Sequence, residues 1–245
     1  MDVVLLDWTR MGQSYCLAGV IHQGGRPRVV RPLPIRARTA PVRNLGWSAF
    51  MMNGHSRWEV FEMVGPEPAP AEPPHLEDVW VRGLRPRGRL ATPAERRASL
   101  EAILTPPGLP FFGASLQTTR TAAYLVPGSG ERSLATILVP TARLAFAASQ
   151  REGTLEPDYR VTLDLPDVGR RTLPVKDHFL LNRAETDSPD PEGRARSLAL
   201  TVRAMGEVVA VRLGLSRPFG SHPGRGDRFC WLMADGFFSP TDPQP

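Results

Sequence analysis

Short aliphatic and β-branched runs recur along this chain, each closed by glycine, proline or a polar turn, and that rhythm constrains the fold more than any other feature. Val3–Trp8, Tyr15–Ile21 and Arg28–Leu33 read as a three-stranded meander with short connections, the second through Gln23-Gly24-Gly25. Trp58–Val64 continues it after the looser stretch Pro34–Arg57, and Glu77–Leu84 reads as a further short strand. The pattern resumes with Ala122–Val126, Leu134–Val139, Leu144–Ala148, Tyr159–Leu165, Arg171–Val175 and His178–Leu181. It ends with Val208–Leu213 and Phe229–Met233. Many short strands with few helices predict barrels or sandwiches rather than a layered α/β sheet.

One helix is predicted at 93–104, where Thr92-Pro93-Ala94-Glu95 supplies an N-cap, a proline at the first helical position and an acid three residues on. Pro106-Pro107 stops it. Pro189–Arg196 reads as a polar loop or a helix start, and Ser197–Met205 as helix or strand. Pro66–Pro74 holds five prolines, which donate nothing to a sheet ladder, and is expected to be a stiff extended connector. No apolar run approaches the roughly 18–20 residues of a membrane span. Met1-Asp2 leads directly into Val3–Leu6 without a basic region or a cleavage site, so a soluble cytoplasmic protein is expected.

Chemistry is sparse. Cys16 and Cys230 lie in apolar segments without a nearby Cys or His, which predicts buried thiols rather than zinc. There is no Gly-x-x-x-x-Gly-Lys-Ser/Thr around Lys176 and no Gly-x-Ser-x-Gly, and His22, His55, His75, His178 and His222 lack metal-ligand spacing. No cofactor or metal is expected. The charge is +5, and Lys176 is the only lysine among 30 basic residues, so the cationic surface is made of guanidinium groups that grip phosphates and stack on bases.

Several phrases, in order, resemble the prokaryotic dual OB-containing domain, a tandem pair of OB-folds associated with mobile elements and defence loci. Ser14-Tyr15-Cys16-Leu17-Ala18-Gly19 is similar to its Cys-x-Ala-Gly, and Val29-Val30-Arg31-Pro32-Leu33 to its aliphatic-Arg-Pro strand end. The proline-rich stretch before His75-Leu76-Glu77-Asp78 is also like the family. Val211-Arg212-Leu213-Gly214-Leu215-Ser216-Arg217-Pro218-Phe219 resembles its Leu-Arg-Leu-Gly-Leu-x-Arg segment, and Phe229-Cys230-Trp231-Leu232 with Asp235-Gly236-Phe237-Phe238 its closing strand. With the strand pattern, the resemblance implies a mainly β chain of two OB-like β-barrels in tandem with a short helical and loop insertion. The first barrel is expected at 1–90, the connector at 91–121 and the second barrel at 122–245. The implied role is non-enzymatic binding of nucleic acid, as an accessory of a larger defence or mobile-element complex.

OB barrels hold single strands by a basic groove and aromatic platforms. Arg10, Arg28, Arg31, Arg36, Arg38 and Arg43 fall in a window without any acid between Asp7 and Glu59, and Arg212, Arg217 and Trp231 fall in the second half. These nine are the candidate nucleic-acid contacts, with little sequence preference expected. Against that stand plainer readings. Trp8, Tyr15 and Trp231 fit a core as well as a platform. Arg31 and Arg212 fit buried arginines paired with Asp7 or Asp235, and Arg36, Arg38 and Arg43 fit solvated charge. A protein-interaction scaffold is the alternative function, and a nuclease built on Asp164, Asp167 and Asp177 is a third.

Overall fold

The computed structural model describes residues 1–12, 14–23, 26–36, 46–52, 54–70, 72–106, 110–150, 157–219 and 228–240 of the chain, without the side chains of Gln23 and Arg26. It is mainly β, 50% strand against 21% helix, with two curled, half-barrel-like sheets. No helix among the described residues is long and apolar enough to cross a membrane.

The first unit opens with the expected meander, β1 (Asp2–Met11), β2 (Ser14–Gln23) and β3 (Arg26–Pro34), antiparallel throughout. β4 (Trp47–Ser48) pairs with β2 and leads into the single turn α1 (Ala49–Met52). β5 (Glu59–Val64) returns antiparallel to β1. After the edge strand β6 (Glu67–Pro68), β7 (Asp78–Val81) runs parallel to β3, and β8 (Gly83–Leu90) runs antiparallel to β5. β7 and β8 act as one strand interrupted at Arg82, whose backbone N–H donates to the Val64 carbonyl at 2.9 Å. The circuit β1-β2-β3-β7/β8-β5-β1 therefore closes. Pro68 pairs with Val79 at the sheet margin, where a missing N–H costs no ladder bond.

The second unit repeats that circuit. β9 (Gln117–Thr118) and β10 (Ala123–Leu125) form its edge. β11 (Leu134–Pro140) and β12 (Ala145–Gln150) are halves of one strand bent at the 3-10 turn Thr141–Arg143. β12, β13 (Pro157–Leu165) and β14 (Gly169–Pro174) form the meander. The helices α3 (His178–Asp187) and α4 (Pro191–Ala204) follow, then β15 (Val208–Leu215), paired with β11, and β16 (Cys230–Phe238), paired with β15. A parallel bridge from Val175 to Ala234 joins the third strand to the fifth, as the β3–β7 pair does in the first unit.

Two expectations change. His178–Leu181 is the first turn of α3 rather than a strand, because the Asp177 carboxylate caps it, accepting from the Phe179 and Leu180 N–H groups at 3.1 and 3.2 Å. Glu77–Leu84 spans two strands. Ser197–Met205 lies mostly in α4, which starts at Pro191 behind the N-cap Asp190. The predicted helix is present as α2 (Pro93–Ile103), with the Thr92–Glu95 capping box made in both directions.

β1 shows how the two units join. Val3 through Thr9 are all buried, too many for a strand with one wet face. Val3, Leu5 and Trp8 fill the barrel with Leu17, Ile21, Val30, Trp47 and Phe61. Val4 and Leu6 point the other way and pack with Leu100 and Ile103 of α2 and with Ala210 and Phe238 of the second unit. A bulge between Leu5 and Asp7 turns Asp7 toward the second unit as well. Gly19 sits opposite this bulge, where a Cβ would lie 2.3 Å from the Val4 carbonyl oxygen.

Candidate nucleic-acid interface

The predicted arginines separate into buried and exposed sets. Arg212 is 0% exposed; its Nε donates to Asp7 Oδ2 at 2.9 Å and its Nη1 to Thr136 Oγ1 at 3.0 Å. Arg31 is 4% exposed, with Nε 3.6 Å from Asp78 Oδ1 and Nη2 bonded to Ser133 Oγ. Neither guanidinium can reach a strand at the surface, so the groove assignment of Arg31 and Arg212 is corrected to a structural one. Arg217 is paired with Asp78 and Arg10 with Glu185 at 2.8 Å, both partly buried. Arg28 is exposed near the start of β3, and Arg36 is exposed beside Met51, with Nη2 3.9 Å from its sulfur. Arg38 and Arg43 lie outside the described residues.

The buried set forms one seam between the units. Glu77 accepts from the Ser133 and Leu134 N–H groups at 2.7 and 3.2 Å. His75 is neutral: burial and the neighbouring Arg31 hold its pKa far below the ordinary imidazole value. Its Nε2–H donates to the Ser216 carbonyl at 3.2 Å, which leaves Nδ1 to accept from Arg31 at 3.1 Å. Arg57 crosses the seam too, donating to both Asp177 oxygens at 2.7 Å and to the Phe237 carbonyl at 2.8 Å. The phrases that suggested a family are thus the ones that meet here: Arg31, His75–Asp78 and Arg212–Arg217.

Tryptophans divide the same way. Trp8 is core, 1% exposed, whereas Trp231 is half-buried with its Nε1–H fixed to the Phe219 carbonyl at 3.2 Å. Tyr124 pairs with Trp231 across β10 and β16, and Phe219 and Phe229 exchange backbone hydrogen bonds at 3.1 Å. The resulting rings stand close: Tyr124 to Phe229 at 4.3 Å, Tyr124 to Trp231 at 5.2 Å, Phe229 to Trp231 at 5.8 Å and Phe219 to Trp231 at 6.4 Å. Phe219 is 51% exposed. Four rings on one sheet edge, pinned by backbone bonds, make a platform of the kind that bases stack on. Exposed Arg228 adjoins Phe229. Exposed Arg120 sits in the turn before β10, which a bond from the Thr172 N–H to the Thr121 carbonyl holds against β14 and its exposed Arg170.

A second aromatic face lies where the first unit meets α3. Phe50 is 92% exposed beside Arg36 and Met51, at the rim of a cleft lined by Tyr15, His55, His178 and Phe179. Burial and the nearby Arg10 charge push the His178 pKa down to about 4, so this cleft carries a neutral imidazole.

The acids of the nuclease reading do not converge. Asp177 caps α3 and binds Arg57, while Asp164 and Asp167 are exposed at the β13–β14 hairpin. Among the described residues no group of three His, Cys, Asp or Glu side chains could hold a metal ion. The sequence pattern singles out neither Tyr124 nor Phe50, and it presents Phe229 only as the start of the closing strand. Tyr124 carries a faint signal, an aromatic on a short strand otherwise made of small and aliphatic residues, but its partner Trp231 is more than a hundred positions away. Comparison with family models, curated proteins and solved structures finds no match to this chain.

Proposed function

We propose that this protein binds single-stranded nucleic acid without catalysing a reaction, stacking bases on the ring platform of Tyr124, Phe219, Phe229 and Trp231. The platform is the observation that carries this reading. Stacking gives about 1–3 kcal/mol per base and tolerates any sequence, since every base has a π face. Exposed Arg228, next to Phe229, and exposed Arg120, in the turn before β10, supply phosphate contacts, and Arg28 and Arg36 supply them on the first unit. The resemblance to the dual OB-containing domain points the same way and adds the proposal of an accessory role in a cytoplasmic defence or mobile-element complex.

Fluorescence anisotropy with labelled single strands tests it. Affinity should fall steeply between 50 and 200 mM salt, as released counterions require. Trp231→Ala with Phe219→Ala should weaken binding by at least about fivefold, the lower bound for the loss of one stacked base. Absence of binding at low salt refutes the proposal. The exposed Phe50 and Met51 favour a second reading, a scaffold that docks a partner protein. A stoichiometric protein partner retained after nuclease treatment, together with failure to bind strands, supports that one instead.

A further inference from the structure

The cleft between α1 and α3 has a free volume of about 630 Å3, inside the range of roughly 300–1,000 Å3 typical of small-ligand sites. It lies where the first unit meets the second, a place where such sites concentrate. Its rings come from three elements: Tyr15 from β2, Phe50 from α1 and His178 from the start of α3. The His178 ring stands edge-on to Tyr15 at 4.6 Å and lies nearly parallel to Trp8, at 15° and 5.9 Å. Arg10 and Asn182 hold that imidazole in place, with Arg10 Nε 3.5 Å from Nδ1 and the Asn182 amide 2.9 Å from Nε2. Burial and the Arg10 charge keep His178 neutral, so it offers a stacking ring rather than a cation.

The charges around the cleft are largely paired. Arg10 donates to both Glu185 oxygens at 2.8 and 2.9 Å. His55 Nδ1–H donates to Glu59 at 3.0 Å, which leaves His55 Nε2 for a ligand. Arg57 stands over the Phe179 ring at 5.0 Å. A cationic ligand would thus find its carboxylates taken and one ring already holding a cation. Arg36 is the contrast. It is exposed at the rim, 3.9 Å from the Met51 sulfur, and has no acid partner among the described residues. The cleft therefore suits a flat, neutral ring with a polar edge and an attached anion. The Tyr15 and Ser56 hydroxyls, without a protein partner among the described residues, can bond that edge. Phe50, 92% exposed at the mouth, buries its face only when a flat group lies against it.

We propose that this cleft seats one nucleotide, its base among Tyr15, Phe50 and His178 and its phosphate on Arg36. The nucleotide is either free or a link in a bound strand. The second source rests on the nucleic-acid reading above; the first does not.

Calorimetric titration of the full chain with the four nucleoside monophosphates, and with inorganic phosphate as control, tests this alongside anisotropy of a labelled single strand. Wild type, Phe50→Ala and Arg36→Ala are compared; both side chains are exposed, so neither substitution should move the melting curve. Phe50→Ala should weaken binding by at least about fivefold, the lower bound for the loss of one stacked base. Arg36→Ala should weaken it too, by less as salt rises. An effect of Phe50→Ala on a monophosphate identifies a free nucleotide; an effect on the strand alone identifies a link in a strand. Phosphate that binds as tightly as every monophosphate, or a Phe50→Ala protein that holds monophosphates and strand like wild type, overturns the proposal. Strand binding that Trp231→Ala weakens would then still keep the platform. A protein partner released by Phe50→Ala, with neither nucleotide arm affected, overturns it in favour of a docking face. A monophosphate held through Phe50, with no strand bound at low salt, upholds the cleft and removes the platform.

Discussion

Replacing Arg212 by methionine removes the guanidinium that meets Asp7 inside the seam. Both side chains are essentially without solvent, at 0% and 1% exposure, and Asp7 Oδ1 already lacks a partner. The substitution takes away the guanidinium that bonds the buried Asp7 carboxylate, and breaking a buried pair from one side costs about 3–5 kcal/mol. Against a usual total stability of about 5–15 kcal/mol, that brings the protein close to its unfolding threshold. Asp7→Leu with Arg212→Met removes both charges and should recover most of the loss, because a well-packed apolar pair is roughly neutral against a buried ion pair. Urea unfolding of wild type, both single variants and the double variant gives the coupling, with an unchanged m-value confirming that only stability has moved. A cost below about 1 kcal/mol for Arg212→Met, or a double variant as unstable as the summed singles, refutes the view that this pair holds the seam.

Three further outcomes follow from the same interior. Asp235 holds its proton to about pH 7 when folded and to 3.8 when free, so the folded chain binds the extra proton between those values and its contribution to stability falls as pH rises across them. Asp235→Asn should therefore gain on wild type from pH 4 to 7.5, by up to about 4 kcal/mol, in unfolding titrations; the comparison cancels the opposite trend from His75 and His178, and a constant difference contradicts it. Gly19→Ala should destabilise by about 1–3 kcal/mol, since its Cβ would meet first the Val4 backbone carbonyl at 2.3 Å and then Val3 Cγ2 at 2.8 Å; thermal melts check this. Burial pushes the Cys230 thiol up to about 11 and the Cys16 thiol upward too, so iodoacetamide at pH 8 should modify neither until urea unfolds the chain, read by intact mass.

The strands, the capped helix and the barrel class were legible because each depends on residues adjacent in sequence. Thr92 and Glu95 sit three apart, and the β2–β3 turn lies between two aliphatic runs. Asp177 is the same kind of local signal, a capping acid before His178, but the apolar Phe179-Leu180-Leu181 that follows reads equally well as strand. What sequence could not assign was the side of the chain on which each arginine falls. Arg31 and Arg36 look alike as letters, yet one is buried with Asp78 and His75 and the other is exposed. Arg212 finds its partner at position 7, and the bulge in β1 decides that Asp7 faces the second unit. A bulge shifts the parity of a strand by one residue and leaves little trace in a hydrophobic pattern of period two. The platform escaped for the same reason, because its rings come together only when β10 docks on β16.

The fluorescence of the chain's own indoles tests stacking most directly. Of the five tryptophans, Trp8, Trp47, Trp58 and Trp80 are buried, and Trp231 alone is accessible to a base. Titration with an unlabelled single strand should quench part of the emission saturably, and Trp231→Phe should abolish that quenching while leaving the strand bound. Quenching that persists in the Trp231→Phe protein, or a bound strand that leaves wild-type emission unchanged, contradicts the platform.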